Sequence, residues 1–171
     1  MRFTSNDVVF SILHSCSDGL RADKLVYYMY AFQKAGLSLK YRYRVQANGI
    51  TCRDIAAALN NLIALNKIAC EDGMLELLPE GALYYNNVVL TYSEWEKVCG
   101  VKAMLDGLSE DELFLICVTD IVMSDMIRRS GVEGLEKGRA TVEGTISNLS
   151  REYSPENFDA ALYVMRQIKE C

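Results

Sequence analysis

Over positions 37–46 the hydrophobic period of the chain becomes two residues, and this feature constrains the fold more than any other. Apolar and polar side chains alternate there: the apolar set is Leu39, Tyr41, Tyr43 and Val45, and the polar set is Lys40, Arg42, Arg44 and Gln46. A period of two sends successive side chains to opposite faces of a strand. The pattern therefore predicts a half-buried strand with one apolar face and one basic face.

On both sides of this strand the apolar residues recur at helical spacing. The predicted helices begin at a cap among Thr4, Ser5 and Asn6, run from about Arg21 to Ala35, and run from a cap at Thr51 to about Leu65. Two strand-like runs follow, Lys67–Cys70 and Met74–Leu78, joined by the turn Glu71-Asp72-Gly73. The order helix, helix, strand, helix, strand, turn, strand is that of a winged helix, whose hairpin forms the wing.

Beyond Thr91 the pattern is helical almost throughout. The predicted helices span Ser93–Leu105, a long apolar run to Arg129 opened by the capping box Ser109-x-x-Glu112, Gly131–Ser150, and a last helix with Pro155 at its first position. The expected fold class is mainly α (α+β), with a winged-helix-like domain over residues 1–88 that carries a small β-hairpin. An α-helical region over residues 89–171 is expected to pack on it.

The charge is unevenly distributed along the chain. Residues 1–90 carry nine basic and eight acidic side chains and residues 91–171 carry nine basic and fifteen acidic ones, so that balances of +1 and −6 give the net charge of −5. Between Lys24 and Arg53 there are six basic residues and no acid. Such a window attracts phosphate or an acidic protein surface. Two alternatives stay open: a solvated edge that discourages strand aggregation, or a charge contact that holds the two halves together.

Several classes of protein are not supported by the composition. The six cysteines form no Cys-x-x-Cys pair and there is one histidine, which predicts reduced thiols in a cytoplasmic protein and no zinc site. No window has the roughly 20 apolar residues of a membrane span, and no apolar run typical of a signal peptide follows the first residues. No nucleotide-binding or hydrolase motif occurs, and His14 is interpreted as structural. We therefore expect a non-enzymatic protein with no cofactor and no metal.

Three segments between residues 12 and 85 resemble a known family. They are Ala22-Asp23-Lys24-Leu25-Val26-Tyr27-Tyr28, the run Leu39–Arg44 with its glycine turn and helix, and Leu65-Asn66-Lys67-Ile68 with Leu75–Gly81. The resemblance is to the YwgA-like proteins and the broader Panacea domain, the SocA-type antitoxin-associated family. In place of that family's Gly-Pro turn this chain has Asn48-Gly49-Ile50. The resemblance implies a winged-helix-like, non-enzymatic module with a toxin–antitoxin or phage-defence function.

These observations predict a protein-binding module that occludes its partner. The expected partner-binding residues are Lys40, Arg42, Tyr43, Arg44 and Arg53. The alternative is a DNA-binding winged-helix regulator that contacts DNA through Thr51, Arg53, Asn60 and Asn61, because Arg reads guanine and Asn reads adenine in the major groove. A homodimer contact along the apolar helix that ends near Arg129 is a further alternative.

Overall fold

The chain is mainly helical with a small antiparallel sheet. The computed structural model describes residues 4–16, 19–47, 49–84, 90–130, 135–149 and 154–171. Within these ranges the helices are α1 (Ser5–Ser15), α2 (Ala22–Lys34), α3 (Arg53–Ala64), α4 (Pro79–Tyr84), α5 (Tyr92–Leu105), α6 (Glu110–Ser130), α7 (Leu135–Asn148) and α8 (Pro155–Glu170). The strands are β1 (Leu20–Arg21), β2 (Arg44–Gln46), β3 (Gly49–Thr51), β4 (Ile68–Glu71) and β5 (Met74–Leu77).

Side-chain caps fix where several helices begin. Thr4 Oγ1 accepts from the Asp7 amide at 3.3 Å, while the Asp7 carboxylate accepts from the Thr4 amide at 2.8 Å. Ser109 and Glu112 make the same reciprocal pair before α6, as predicted. Each pair satisfies amides at the helix start that have no intrahelical acceptor. The predicted start of α5 at Ser93 is wrong by one residue, because Thr91 forms the capping box there and the helix begins at Tyr92.

The predicted hairpin of β4 and β5 is confirmed. The two strands pair antiparallel from Ile68 opposite Leu77 to Glu71 opposite Met74. Asp72 and Gly73 both have positive φ, 49° and 78°, as a two-residue hairpin turn that matches the strand twist requires. On the other side of β5 lies β1, which no sequence pattern indicated because a strand of two residues has no period to detect.

A second hairpin corrects the prediction around residues 37–51. The paired part of the predicted strand is only β2, and its partner is β3, in which Thr51 lies opposite Arg44. Thr51 as the N-cap of α3 is therefore wrong: the ladder with β2 uses the backbone of residues 49–51, and the cap position falls to Cys52, whose side chain makes no cap hydrogen bond. Asn48 lies outside the described residues.

Helix α2 occupies the centre of the fold. The side chains expected to form its apolar stripe are all buried: Leu25, Tyr28, Met29 and Phe32. Tyr27, Tyr30 and Ala31 are buried as well, because α2 packs against α5, α6 and α8 as well as against β1 and β3. The apolar core is one cluster that includes residues of both predicted regions, and the division of the chain near residue 88 stays a prediction.

Polar side chains tie α2 to the second half of the chain. Lys24 Nζ donates to the Leu108 carbonyl, and Lys97 Nζ donates to the Ala35 carbonyl, each at 2.8 Å. Tyr28 Oη donates to the Asp106 carboxylate at 2.8 Å. The two lysines satisfy carbonyls in the turns after α5 and α2, which lack helical partners. These contacts fix the two ends of α2 relative to α5.

Candidate functional site

Lys40, Arg42 and Arg44, here called the basic face, project from one side of an extended segment. Along residues 37–46 exposed positions alternate strictly with buried or half-buried ones, and all three cations are exposed. Side chains two residues apart on an extended chain point the same way at a spacing of about 7 Å. The predicted separation of basic and apolar side chains is therefore confirmed, although only residues 44–46 of this segment belong to a paired strand.

A glutamine side chain holds the unpaired part of this segment extended. Gln33 on α2 accepts from the Tyr41 amide at 3.0 Å and donates to the Tyr41 carbonyl at 3.4 Å. These two bonds substitute for a neighbouring strand, because they satisfy both backbone groups of one residue. The backbone that carries Lys40 and Arg42 is thus fixed against a buried helix.

The basic face is not neutralised within the described part of the chain. The ion pairs there involve Arg21, Lys34, Lys102, Arg128, Arg129, Arg139 and Lys169, and none includes a residue of the basic face. The hypothesis that acids of the second half compensate Arg42 and Arg44 finds no contact in its support among these residues. The three charges face solvent.

The structure places Tyr43 on the inner side of the segment. Its ring packs edge-on against the Tyr30 ring with 4.9 Å between centroids, and its hydroxyl is buried. Tyr43 was predicted to bind the partner together with the cations, but it points the opposite way from Arg42 and Arg44. Burial raises the pKa of its phenol, so that it stays neutral.

The start of α3 extends the same surface. Arg44 and Thr51 are cross-strand neighbours in the β2–β3 hairpin, and Arg53 is the exposed first residue of α3. Asn60 and Asn61 follow seven and eight residues later, which places them on the helix face of Arg53 about 10 Å along the axis. Asn61 is exposed and Asn60 partly so.

The tip of the β4–β5 hairpin is acidic. Glu71 and Asp72 are exposed at the turn and Glu76 is exposed on β5. Arg21 on the neighbouring strand pairs with Asp23 at 2.6 Å. Carboxylates at this position repel phosphate, which weighs against a wing that contacts the DNA backbone.

A buried charged group that the sequence analysis missed lies beneath the segment. Asp120 on α6 is 4 % exposed and accepts from three donors: Tyr30 Oη at 2.6 Å, Lys34 Nζ at 2.8 Å and Lys169 Nζ at 2.5 Å. We call these four residues the charge cluster. The signal in the sequence was an aspartate within the most apolar helix, but nothing there indicated its partners.

Asp120 is ionised within this cluster. Burial disfavours its charged form, yet hydrogen bonds from Lys169, Lys34 and Tyr30 outweigh that effect and hold the pKa of the carboxyl below its ordinary value of 3.8. Burial and the neighbouring carboxylate raise the pKa of the Tyr30 phenol. The cluster therefore contains two positive charges and one negative charge at neutral pH.

The two tyrosines allow a matched test of this arrangement. Tyr30→Phe is expected to lower the free energy of unfolding by about 1.5–3 kcal/mol, because it removes a hydrogen bond to a buried charge. Tyr43→Phe should change it by less than about 0.5 kcal/mol, because the Tyr43 hydroxyl has no hydrogen-bond partner among the described residues. Urea denaturation followed by circular dichroism measures both. Equal losses in the two variants would contradict the assignment of Tyr30 to the cluster.

The described residues contain no group of three or more side chains suited to hold a metal ion. None of the helices as described has the length and apolarity needed to cross a membrane. His14 is exposed on α1, and Cys16 is buried nearby in sequence. These residues form no evident catalytic arrangement with a third group that the described contacts reveal.

Comparison with known proteins gives no relative. We found no family model, no curated protein and no solved structure that matches the chain. The resemblance to the Panacea domain thus rests on the three sequence segments alone.

Proposed function

We propose that this chain is a non-enzymatic protein-binding module that docks through its basic face and the neighbouring Arg53, and that it blocks an acidic site on its partner. The observation that carries the proposal is the line of exposed cations on a backbone fixed by Gln33. A rigid row of like charges presents a ready-made complement to carboxylates and loses little conformational entropy on binding. In line with the family resemblance, the proposed setting is an antitoxin or a phage-defence protein.

We further propose that the first half has a winged-helix-like architecture. The support comes from the topology, since α1, β1, α2, α3, β4 and β5 follow in that order and the short β1 pairs with β5 at the side of the hairpin. In this chain the extended segment 37–46 and β3 lie between α2 and α3. The added segment is the one that carries the basic face.

The test compares two variants that replace two positive charges by two negative ones. Arg42→Glu/Arg44→Glu alters the basic face, and Lys137→Glu/Arg166→Glu alters exposed cations of α7 and α8 that form no ion pair with a described residue. Partners are captured from the native host, identified by mass spectrometry and titrated by biolayer interferometry. We expect the first variant to bind at least about tenfold more weakly and the second to bind as the wild type, because opposed charges across an interface are repulsive.

Salt and folding controls accompany this test. Circular dichroism should show unchanged helical content in both variants, since the altered side chains are exposed. Wild-type affinity should fall as ionic strength rises, because exposed charges are screened within about 10 Å at 0.1 M salt. Equal binding by the two variants would show that the basic face is merely solvated and would refute the proposal.

A DNA-binding regulator is the second candidate. The exposed face of α3 favours it, because Arg53, Asn60 and Asn61 stand among the small residues Ala57 and Ala64 and permit close approach to a groove. The acidic tip of the hairpin and the negative net charge oppose it. In a fluorescence-anisotropy titration with a labelled random duplex at low salt, we expect no saturation at micromolar protein. Saturation that Asn60→Ala/Asn61→Ala abolishes would support the regulator instead.

A further inference from the structure

A cavity of about 510 Å³ lies beside the charge cluster, between α2, α6, α7 and the inner side of the extended segment. Its lining includes Tyr30 and Lys34 from α2, Tyr43 from the segment, and Thr141 from α7. The remaining described wall comes from α6 between Ile121 and Arg128. This volume is within the range of small-molecule sites, about 300–1,000 Å³.

Cations outnumber acids around this cavity. Asp120 pairs with Lys34 and Lys169, and in the same way Asp125 pairs with Arg128 at 2.6 Å and with Arg129 at 2.9 Å. Each carboxylate is thus shared by two cations, which leaves one positive charge in excess at each of the two places. In a chain with a net charge of −5 this local excess favours a negatively charged ligand.

The side chains also provide donors for such a ligand. The ammonium of Lys34 has three donors, of which Asp120 takes one, and the side chain remains 26 % exposed. Arg128 is 77 % exposed at the rim and its guanidinium carries donors beyond the one that Asp125 accepts. The walls between these charges are apolar, with Val122, Met126 and the ring of Tyr43.

We propose that this cavity binds a small organic anion, with its charged group at Lys34 and Arg128 and an aromatic or aliphatic body against the apolar walls. The site is distinct from the basic face, and its existence does not depend on the proposed partner. Because Tyr43 lies between Arg42 and Arg44 in the chain, an occupant touches the inner side of the segment that carries the basic face.

A second cavity in the described residues gives an internal comparison. The groove of about 480 Å³ between α6, α7 and α8 is lined by apolar side chains such as Phe114, Leu115 and Val164 and by the acids Asp111 and Glu112. No cation occurs in its described lining. An anion should therefore prefer the first cavity, whereas a neutral apolar molecule has no such preference.

The test uses anilinonaphthalene sulfonate (ANS), an aromatic anion whose fluorescence increases in apolar sites, and N-phenylnaphthylamine as its neutral analogue. Thr141→Trp fills the first cavity from an exposed position of α7, and Ala160→Trp fills the groove from an exposed position of α8. Lys34→Gln removes the cation, while Asp120 keeps Lys169 and Tyr30 as partners. Arg166→Gln removes an exposed cation that does not line the cavity.

We expect saturable ANS binding that Thr141→Trp abolishes and that Lys34→Gln weakens by about tenfold, the loss of one hydrogen bond to a charged group. Ala160→Trp and Arg166→Gln should leave ANS affinity unchanged, and Lys34→Gln should leave N-phenylnaphthylamine binding unchanged, which shows that the cavity keeps its shape. Loss of ANS binding in Ala160→Trp but not in Thr141→Trp places the probe in the groove and overturns the proposal. So does an absence of saturable ANS fluorescence up to millimolar probe.

Discussion

Asp120→Asn is expected to lower the free energy of unfolding by about 3–5 kcal/mol, because it removes the only acid of a buried cluster that contains two lysines. The amide accepts fewer hydrogen bonds than the carboxylate and carries no charge, so Lys34 and Lys169 are left to repel one another. Tyr30 also loses its charged acceptor. Equilibrium denaturation in guanidinium chloride, followed by circular dichroism, measures the change.

Asp125→Asn provides the matched control for this prediction. Asp125 is on the same helix and also pairs with two cations, but its side chain is 36 % exposed whereas that of Asp120 is 5 % exposed. Exposed ion pairs contribute little because water screens them, so the control should lose less than about 1 kcal/mol. Similar losses in the two variants would show that burial does not strengthen the contacts of Asp120.

The difference between wild type and Asp120→Asn should also depend on pH. The pKa of Asp120 is below its ordinary value of 3.8 in the folded protein, so the folded state binds this proton less readily than the unfolded chain does. The stabilisation is therefore complete above the unfolded value and is lost as pH falls through the folded pKa. Asp23 and Glu112, whose pKa values are also lowered, are present in both proteins and cancel from the difference.

Local patterns in the sequence predicted the parts of the fold that depend on neighbouring residues. The alternation over residues 37–46 indicated which side chains face solvent, and the spacing of Ser109 and Glu112 indicated the start of α6. In both cases the interacting or alternating residues lie within one turn or one strand. Errors arose where a distant segment competes, as at Thr51, which pairs with β2 when the local pattern favours a helix cap.

The charge cluster could not be predicted in the same way. Lys169 is 49 residues from Asp120 and Tyr30 is 90 residues from it, so no periodic pattern connects them. The helical spacing of Leu25, Tyr28, Met29 and Phe32 indicated one buried face of α2, but Tyr30 lies on another face. It is buried only because α6 and α8 pack there, which is a property of the assembled fold. The cavity beside the cluster follows from the same packing.

A variant without any charge in the cluster separates its role in stability from its role at the cavity. We expect the quadruple variant Tyr30→Phe, Lys34→Met, Asp120→Leu, Lys169→Met to unfold with a free energy at least equal to that of the wild type within about 1 kcal/mol. It should thus recover the loss of about 3–5 kcal/mol of Asp120→Asn, because apolar side chains of similar volume replace buried ion pairs without a desolvation cost. Guanidinium denaturation under the same conditions measures it.

The same variant should bind ANS at least about tenfold more weakly than the wild type, because the cation that faces the cavity is gone while the apolar walls remain. N-phenylnaphthylamine binding serves as the control and should be retained. A stable fold with weakened anion binding means that the cluster is maintained for its charge at the cavity, since packing alone is served equally well by apolar residues. A quadruple variant as unstable as Asp120→Asn contradicts this interpretation, because the polar contacts are then required to position α6 between α2 and α8.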